Sequence, residues 1–337
     1  MYDLLQIWGT SLKDSSFALF LFMLMACVII GLFFLTKGGD LLSDYCSSLA
    51  EELGIPSVVV GLTVVSIATS APELFTSIAA ISSGASGLVL GNIIGSNIAN
   101  IALILGISLL IKPIHTTGTL NSVQLILLCI STFSFCGSII LTGNILDVTK
   151  GVILVIFIFC YIIGVTLHAL KNRNLIREVD ESNSSKKDNL THIIFMILLG
   201  GVFLWAGSES LVYGSQNIAI LIGIPNELIG FTLIAIGTSL PELAASVALI
   251  RKDQTQMLLG NILGSNLFNI GLVGGVAGIL GPISSETNYP WIDHFSLVIF
   301  TIIFAAWMTG KKLTKVHGIF LIAAYIAATT ITWIMNS

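Results

Sequence analysis

Charged residues are scarce in this sequence: Asp, Glu, Lys and Arg make up 9% of the 337 residues, whereas hydrophobic residues make up 55%. The mean hydropathy of +0.98 lies far above that of a soluble domain. Apolar stretches that approach or exceed the length needed to cross about 30 Å of hydrocarbon recur near residues 17–35, 58–80, 88–111, 123–141, 151–170, 193–221, 228–250, 259–280, 297–308 and 316–335. The sequence therefore predicts an all-α integral membrane protein with ten transmembrane helices, the ninth of them short.

Several features that mark other functions are missing as well. The five histidines do not cluster and the five cysteines have no metal-ligand spacing, which argues against a transition-metal site. A basic patch with interleaved aromatic residues is absent, so nucleic acid is not a predicted partner. The first residues lack the basic region and apolar core of a signal peptide, and we expect them to be retained. We predict no cofactor and no obligate protein partner, and the lipid bilayer is the surrounding that the composition implies.

The lysines and arginines orient the predicted spans. With the N-terminus outside, twelve of the 14 fall in cytoplasmic loops, and only Lys13 and Lys150 lie outside. This is a strong positive-inside bias, which predicts that both termini are outside. Segment 171–191 is polar, rich in both charge signs and poor in aromatic residues, which indicates a cytoplasmic linker. It separates two five-span halves, residues 1–170 and 192–337.

The two halves contain a repeat. Residues 61–106 align with residues 230–275 without a gap, at a constant offset of 169, and 22 of the 46 positions are identical. Because an odd number of spans, five, separates equivalent positions, the second copy crosses the membrane in the opposite sense to the first. Inverted-topology repeats of this kind place a substrate site at the midplane of the membrane, between broken helices from each half.

Each copy places a carboxylate directly after a proline within an apolar span. Glu73 follows Pro72, and Glu242 follows Pro241. A charged side chain near the bilayer centre costs about 2.5–3.5 kcal/mol, and a proline removes a helical hydrogen bond, so both residue types need a compensating role. Other oxygen donors repeat with them: Thr69, Ser70, Asn92, Ser96, Asn97 and Asn100 in the first copy, and Thr238, Ser239, Asn261, Ser265, Asn266 and Asn269 in the second.

This set of donors indicates a site for hard cations. Carboxylate, hydroxyl, amide and carbonyl oxygens without imidazole or thiolate suit calcium and sodium. Lysine and arginine are absent from residues 61–80, 88–110, 230–249 and 259–280, so the two carboxylates have no fixed counter-charge within these segments. One calcium ion or two sodium ions would neutralise them.

Other repeated residues have simpler interpretations. Each copy contains a GxxxG pattern, which close helix packing explains better than ion contact does. Asn92 and Asn261 are either cation ligands or interhelical hydrogen-bond partners. Asp40 and Glu209, which lie at equivalent positions near span ends, are interpreted as ordinary interfacial charges.

The segments "ATSAPE" and "GNIIGSNIAN" in the first copy, and "GTSLPE" and "GNILGSNLFN" in the second, resemble the paired alpha-repeat signatures of the sodium/calcium exchanger family. This family belongs to the calcium/cation antiporter superfamily, and the chain resembles its compact prokaryotic form over nearly its whole length. The resemblance implies an antiporter rather than an enzyme, which exchanges sodium for calcium by alternating access. It also implies a bacterial or archaeal plasma membrane.

The resemblance assigns roles to individual residues. Calcium would bind Glu73 and Glu242, with further oxygens from Thr69 and Thr238. Flanking sodium sites would use Ser66, Thr69, Glu73 and Ser96 on one side, and the Ala235 carbonyl, Thr238, Glu242 and Ser265 on the other. Asn100 and Asn269 would line the centre, and Ser70 and Ser239 complete the predicted set.

Two positions depart from the family pattern. Ala68 stands where glycine is usual. Both central positions are asparagine, whereas some relatives, including potassium-dependent ones, carry an aspartate at one of them, which weakens a potassium-dependent alternative. The main alternative is a proton-coupled calcium antiporter in which the same glutamates titrate. A remote alternative is an intramembrane hydrolase that uses Ser70 and Glu73, although GxSxG and HExxH motifs are absent.

Overall fold

Helices make up most of the structure. The computed structural model describes residues 2–82, 87–141, 145–171, 189–223, 235–281, 283–284, 291–310 and 312–336. Its helices are α1 (Tyr2–Ser15), α2 (Phe17–Leu53), α3 (Ser57–Ser82), α4 (87–111), α5 (Ser122–Leu141), α6 (Val148–Lys171), α7 (Leu190–Leu221), α8 (Ala235–Thr238), α9 (Leu240–Arg251), α10 (Thr255–Leu280), α11 (Trp291–Trp307) and α12 (Lys315–Asn336). Of the predicted linker, residues 172–188 lie outside the described part of the chain.

Eight of the described helices are long and apolar enough to cross a membrane: α2 to α7, α10 and α12. The apolar helix α11 is shorter, and it begins at Trp291, ahead of the stretch predicted at 297–308. Within the stretch predicted at 228–250, residues 228–234 are not among the described ones, and α8 and α9 cover the rest. The chain is thus a mostly helical, multi-pass membrane protein, and the count of ten spans stays a prediction.

Helices α2 and α7 are longer than the stretches that predict them, with 37 and 32 residues. Helix α2 ends where Gly54 adopts a φ of 64°, a left-handed conformation that favours glycine. The two helices pack backbone to backbone, since a Cβ added to Gly38 would lie 2.8 Å from the carbonyl oxygen of Gly200. Such close approach is typical of small residues at helix interfaces in membranes.

Wide, π-helical turns interrupt three helices, at Gly61–Val65 in α3, Ala99–Ile104 in α4 and Asn269–Val273 in α10. Turns of this kind occur frequently at functional sites. The helix break predicted at the first motif is wrong, because α3 continues through Pro72; a proline removes one hydrogen bond and can leave a kink instead of an end. The second copy is interrupted at Ser239, between α8 and α9.

Four two-residue strands, which an all-α prediction does not include, lie in the loops. Strand β1 (Ile114–His115) pairs antiparallel with β4 (Lys312–Leu313), and β2 (Ile145–Leu146) pairs antiparallel with β3 (Ile283–Ser284). Each pair joins one strand from the first half of the chain to one from the second. Backbone hydrogen bonds therefore connect the halves in addition to helix packing.

Helices α4 and α10 lie at the centre of the protein. Their most apolar segments are 78% and 83% buried, against 17% for α6 and α12, which are exposed along most of their length. The GxxxG pattern of α10 packs against α3, as predicted: a Cβ on Gly264 would lie 2.6 Å from the carbonyl oxygen of Leu62. At Gly95, the equivalent glycine of α4, an added Cβ would meet no atom of the described residues within 4 Å. Close packing therefore explains the second pattern. The side chains at positions 231 and 235, which are equivalent to Leu62 and Ser66, lie outside the described set, so close packing at Gly95 stays a prediction.

Candidate cation site

The two Pro-Glu motifs meet at the centre of the protein. Glu73 lies in α3 and Glu242 in the first turn of α9, and each is 1% exposed. Helices α4 and α10 flank them and carry further buried polar residues. The predicted site residues that are buried with the two glutamates are Ser66, Thr69, Ser70, Ser96, Asn100, Ser239, Ser265 and Asn269, and Thr238 is half-buried.

A hydrogen bond links the two motifs directly. The Ser70 hydroxyl donates to Glu242 Oε1 at 3.0 Å, so a side chain of the first repeat contacts the carboxylate of the second. Glu73 lies in the same helix as Ser70, three residues further along the chain. The structure thus joins two residues that are far apart in the sequence into one group.

The two threonines make equivalent contacts across the repeats. Thr69 Oγ1 donates to Asn261 Oδ1 and Thr238 Oγ1 donates to Asn92 Oδ1, both at 3.4 Å. The Asn92 amide also donates to the Glu73 carbonyl at 3.2 Å and to Ser77 Oγ at 3.0 Å. Both asparagines are therefore interhelical hydrogen-bond partners of the predicted site residues, and these contacts do not test the alternative that they also bind a cation.

Most polar atoms around the carboxylates receive or donate no hydrogen bond within the described part of the chain. Both Glu73 oxygens and Glu242 Oε2 are among them, together with side-chain atoms of Ser96, Asn97, Asn100, Ser239, Ser246, Asn266 and Asn269. Buried polar groups are normally satisfied by a partner, and leaving them unsatisfied is costly. A bound cation with oxygen ligands would satisfy several of them at once.

Charge supports the same interpretation. The ion pairs among the described residues involve Lys112, Lys150 and Lys252, and none of them includes Glu73 or Glu242. Two carboxylates at membrane depth without a basic neighbour need a mobile positive charge. The residues present therefore fit calcium or sodium as a substrate.

The remaining predicted residues differ in how they are joined to the group. Ala235 begins α8, one turn before Thr238, and its side chain lies outside the described set. Ser66 donates to the Gly61 carbonyl at 2.7 Å and to the Asn261 carbonyl at 3.2 Å, and so ties α3 to α10. The set predicted from the sequence does not include Ser77 and Ser246. Both are buried with the polar group, and both are serine at repeat-related positions, which is a signal that could have identified them.

Two cavities in the described part of the chain touch predicted site residues. The larger has a volume of about 250 Å³ and extends from Glu209 and Gln216 of α7 to Thr238; we call it the outer cavity because Tyr2, near the N-terminus predicted to be outside, lines it. A smaller cavity of about 60 Å³ touches Ser70, between α3 and α10.

Known proteins resemble the chain in both sequence and structure. The family model for the sodium/calcium exchanger protein matches residues 23–167 and 192–334. The sodium/calcium exchanger MaX1 of Methanosarcina acetivorans is 32% identical over 334 residues, a match that covers 89% of this chain and 95% of MaX1. The inner membrane protein YrbG of Escherichia coli is 31% identical over 316 residues, covering 89% of this chain and 94% of YrbG.

A solved structure has the same fold. The sodium-calcium exchanger NCX_Mj, soaked with zero Na⁺ and Ca²⁺, matches with a TM-score of 0.78 and 29% identity, over 92% of this chain and 99% of NCX_Mj. The sequence match spans both halves of the chain, and the structural match covers nearly all of it. The protein is a membrane cation antiporter and belongs to the sodium/calcium exchanger family.

Proposed function

We propose that this protein exchanges sodium for calcium across the membrane by alternating access, with Glu73 and Glu242 as the central cation-binding carboxylates. The observation that carries the proposal is the pair of buried carboxylates from repeat-related positions, surrounded by neutral oxygen atoms that lack partners. Calcium would bind between the two glutamates with Thr69 and Thr238. Sodium would bind beside them, with Ser66 and Ser96 on one side and Ser265 and the Ala235 carbonyl on the other.

The charge of the site supplies the coupling. An empty site with two ionised carboxylates resists passage through a closed, dry state, whereas a site neutralised by one calcium or two sodium ions does not. Reorientation is then restricted to the loaded protein, so each cation moves only in exchange for the other.

The inverted repeat is supported by the strand pairing. Strands β1 and β3 lie at positions related by the offset of 169, and each pairs with a strand of the opposite half. In the first pair, β1 of the first half bonds to β4 of the second. In the other pair, β3, the equivalent of β1, bonds to β2 of the first half, as expected for two halves related by a two-fold axis. The reciprocal bonds of Thr69 and Thr238 follow the same relation. We infer ten spans with both termini outside and the linker cytoplasmic, in agreement with the positive-inside bias.

The first prediction concerns the two carboxylates. Purified protein in liposomes loaded with sodium should take up radioactive calcium on dilution into sodium-free buffer, with the potassium and proton gradients clamped. Glu73→Gln and Glu242→Gln should each abolish this uptake, because either variant leaves one charge to balance a divalent ion. Glu51→Gln, which changes an exposed glutamate, serves as the matched control and should transport at the parent rate.

The outcome separates the candidate functions. Uptake by both glutamine variants at the parent rate would rule out the assigned site. Parent uptake that ignores internal sodium but follows an imposed pH gradient would identify a proton-coupled antiporter. An uptake that requires potassium together with sodium would identify the potassium-dependent variant.

A further inference from the structure

The outer cavity contains a carboxylate that the proposed exchange does not use. Glu209 lines the cavity at α7, and Thr238, a predicted cation ligand, lines it as well. Lysine and arginine are not among the described residues that form its wall. A cavity lined by one sign of charge concentrates ions of the opposite sign. Glu209 therefore stands beside the path that a cation would follow to Thr238.

Helix α1 covers this carboxylate. The backbone N–H of Tyr2 donates to Glu209 Oε2 at 3.0 Å, and the Tyr2 hydroxyl donates to Gln216 Oε1 at 2.5 Å. The Tyr2 ring also packs edge-on against Tyr213, with the ring centroids 5.3 Å apart. The first N–H groups of a helix have no partner within the helix and carry partial positive charge. Glu209 accepts a hydrogen bond from one of these N–H groups of α1. The N–H group therefore occupies a carboxylate oxygen that could otherwise bind a cation.

The equivalent residue of the first half has a different partner. Asp40 lies 3.5 Å from the Lys252 ammonium group, which also bonds to Asp44 at 2.8 Å. A lysine supplies a full positive charge to its partner and a backbone N–H only a partial one, so Glu209 has no full counter-charge among the described residues. The interpretation of both residues as ordinary interfacial charges therefore fits Asp40 better than Glu209.

We propose that Glu209 is an additional cation-binding residue at the outer end of the pathway, and that α1 is a cover which a bound sodium or calcium ion displaces from it. The proposal rests on the proposed exchange, since it takes the outer cavity as the route to the site. The family match begins at residue 23, after α1. Helix α1 therefore lies outside the residues that the family model matches.

The first test measures how far α1 restricts access to the outer cavity, and it does not depend on transport. Thr76 lines the outer cavity and is exposed, so Thr76→Cys reports access to it when the native cysteines are replaced by serine. Tyr2→Ala keeps the backbone N–H that bonds to Glu209 but removes the hydroxyl bond to Gln216 and the ring contact with Tyr213. It should raise the rate of modification by a membrane-impermeant thiol reagent about threefold to tenfold, the ratio set by one hydrogen bond. Gln6→Ala, an exposed change on α1, should leave the rate unchanged. Equal modification rates in Thr76→Cys alone, with Tyr2→Ala and with Gln6→Ala would contradict the proposal that α1 covers the outer cavity.

The second test measures the cation. Calcium should accelerate modification of Thr76→Cys in the protein that retains Glu209, and Glu209→Gln should abolish this acceleration. An acceleration that survives Glu209→Gln would show that Glu209 binds no cation. In transport, Glu209→Gln should raise the KM for external calcium several-fold with an unchanged maximal rate, whereas Glu51→Gln should alter neither.

The two assays separate this proposal from the proposed function. A parent protein without sodium-dependent calcium uptake would contradict sodium/calcium exchange, while the labelling rates still decide whether α1 covers a cation-binding Glu209. A parent with normal exchange and calcium-insensitive labelling would retain the proposed function and remove Glu209 as a binding residue.

Discussion

At the scale of single residues, the proposed site combines predicted cation ligands with side chains that hold them in place. The hydroxyl of Thr69 donates to Asn261 of the other repeat, and that of Ser70, the next residue, donates to Glu242. Thr63, six residues before Thr69 in the same helix, is buried too, but its hydroxyl donates to the Val59 carbonyl within α3 at 2.7 Å. A comparison of the two threonines therefore distinguishes a hydroxyl that bonds across the repeats from one that bonds only within its own helix.

We predict that Thr69→Val weakens calcium binding and Thr63→Val does not. Valine keeps the shape of threonine, so Thr69→Val removes only the hydroxyl and leaves Asn261 without this donor. A single hydrogen bond near a charged group is worth about 1.5–3 kcal/mol, which predicts an increase of about tenfold or more in the calcium concentration that half-saturates uptake. Thr63→Val should stay within about twofold, since the Val59 carbonyl retains its bond in the helix. An equal effect of both changes would contradict a role for the Thr69 hydroxyl in binding.

Sequence alone identifies residues whose charge is unusual for an apolar membrane span. Glu73 and Glu242 are recognisable because a carboxylate in an apolar span is costly, and the repeat shows that it occurs twice. The partners of Asn92 and Asn261 are not recognisable in this way, because each asparagine bonds to a threonine of the opposite repeat. Such contacts depend on how the two halves pack, which no local pattern contains.

At the scale of helices, glycines differ in how closely a neighbouring helix approaches them. Gly264 of α10 faces Leu62 and Ser66 of α3, whereas an added Cβ at Gly164, an exposed residue of α6, meets no described atom within 4 Å. Both glycines lie in apolar stretches, but Gly264 belongs to a GxxxG pattern and Gly164 does not. The pattern therefore identifies the glycine on which α3 packs.

We predict that Gly264→Ala destabilises the protein and Gly164→Ala does not. The added methyl group of Gly264→Ala would overlap the Leu62 carbonyl and the Ser66 hydroxyl, and overpacking typically costs about 1–3 kcal/mol. Gly164→Ala places the same group on the exposed face of α6, and alanine favours a helix by up to about 1 kcal/mol over glycine. Thermal unfolding in detergent should show a lower midpoint for Gly264→Ala alone. A loss of stability in both variants would contradict the difference in packing.

Helix existence is predictable from hydropathy, and helix length is less so. The apolar stretch at 17–35 predicts a span, but α2 continues to Leu53 through residues that include Lys37, Asp40 and Asp44. Packing against α7 and the contacts of Lys252 extend the helix beyond its apolar part. The four short strands escape prediction because each has two residues and its partner lies in the other half.

At the scale of the whole molecule, the two halves are held by contacts that do not depend on the linker. Helices α2 and α7 meet along glycines, α3 packs on α10, and the strand pairs join the loops. These contacts all connect residues of one half to residues of the other. The association of the halves is therefore a property of their surfaces.

We predict that the protein assembles from two separate chains. When the halves are co-expressed as chains divided within residues 172–188, an affinity tag on one should recover the other in equal amount from detergent. Gly38→Leu in the first chain should reduce this recovery severely, because its side chain would overlap Gly200 and Leu204 of α7. Failure of the unaltered halves to associate would show that the linker is required for assembly.

The pairing of β1 with β4 also determines how late in synthesis the native fold can be completed. The ribosome delivers β1 early, but β4 lies directly before α12, the last helix of the chain. The loops of the first half therefore remain without their partner strands until nearly all of the protein has entered the membrane. During that interval Glu73 also lacks Glu242 and the Ser70–Glu242 bond is absent. A truncated chain that ends before the second half thus contains half of the carboxylate pair, which under the proposed mechanism is insufficient for exchange.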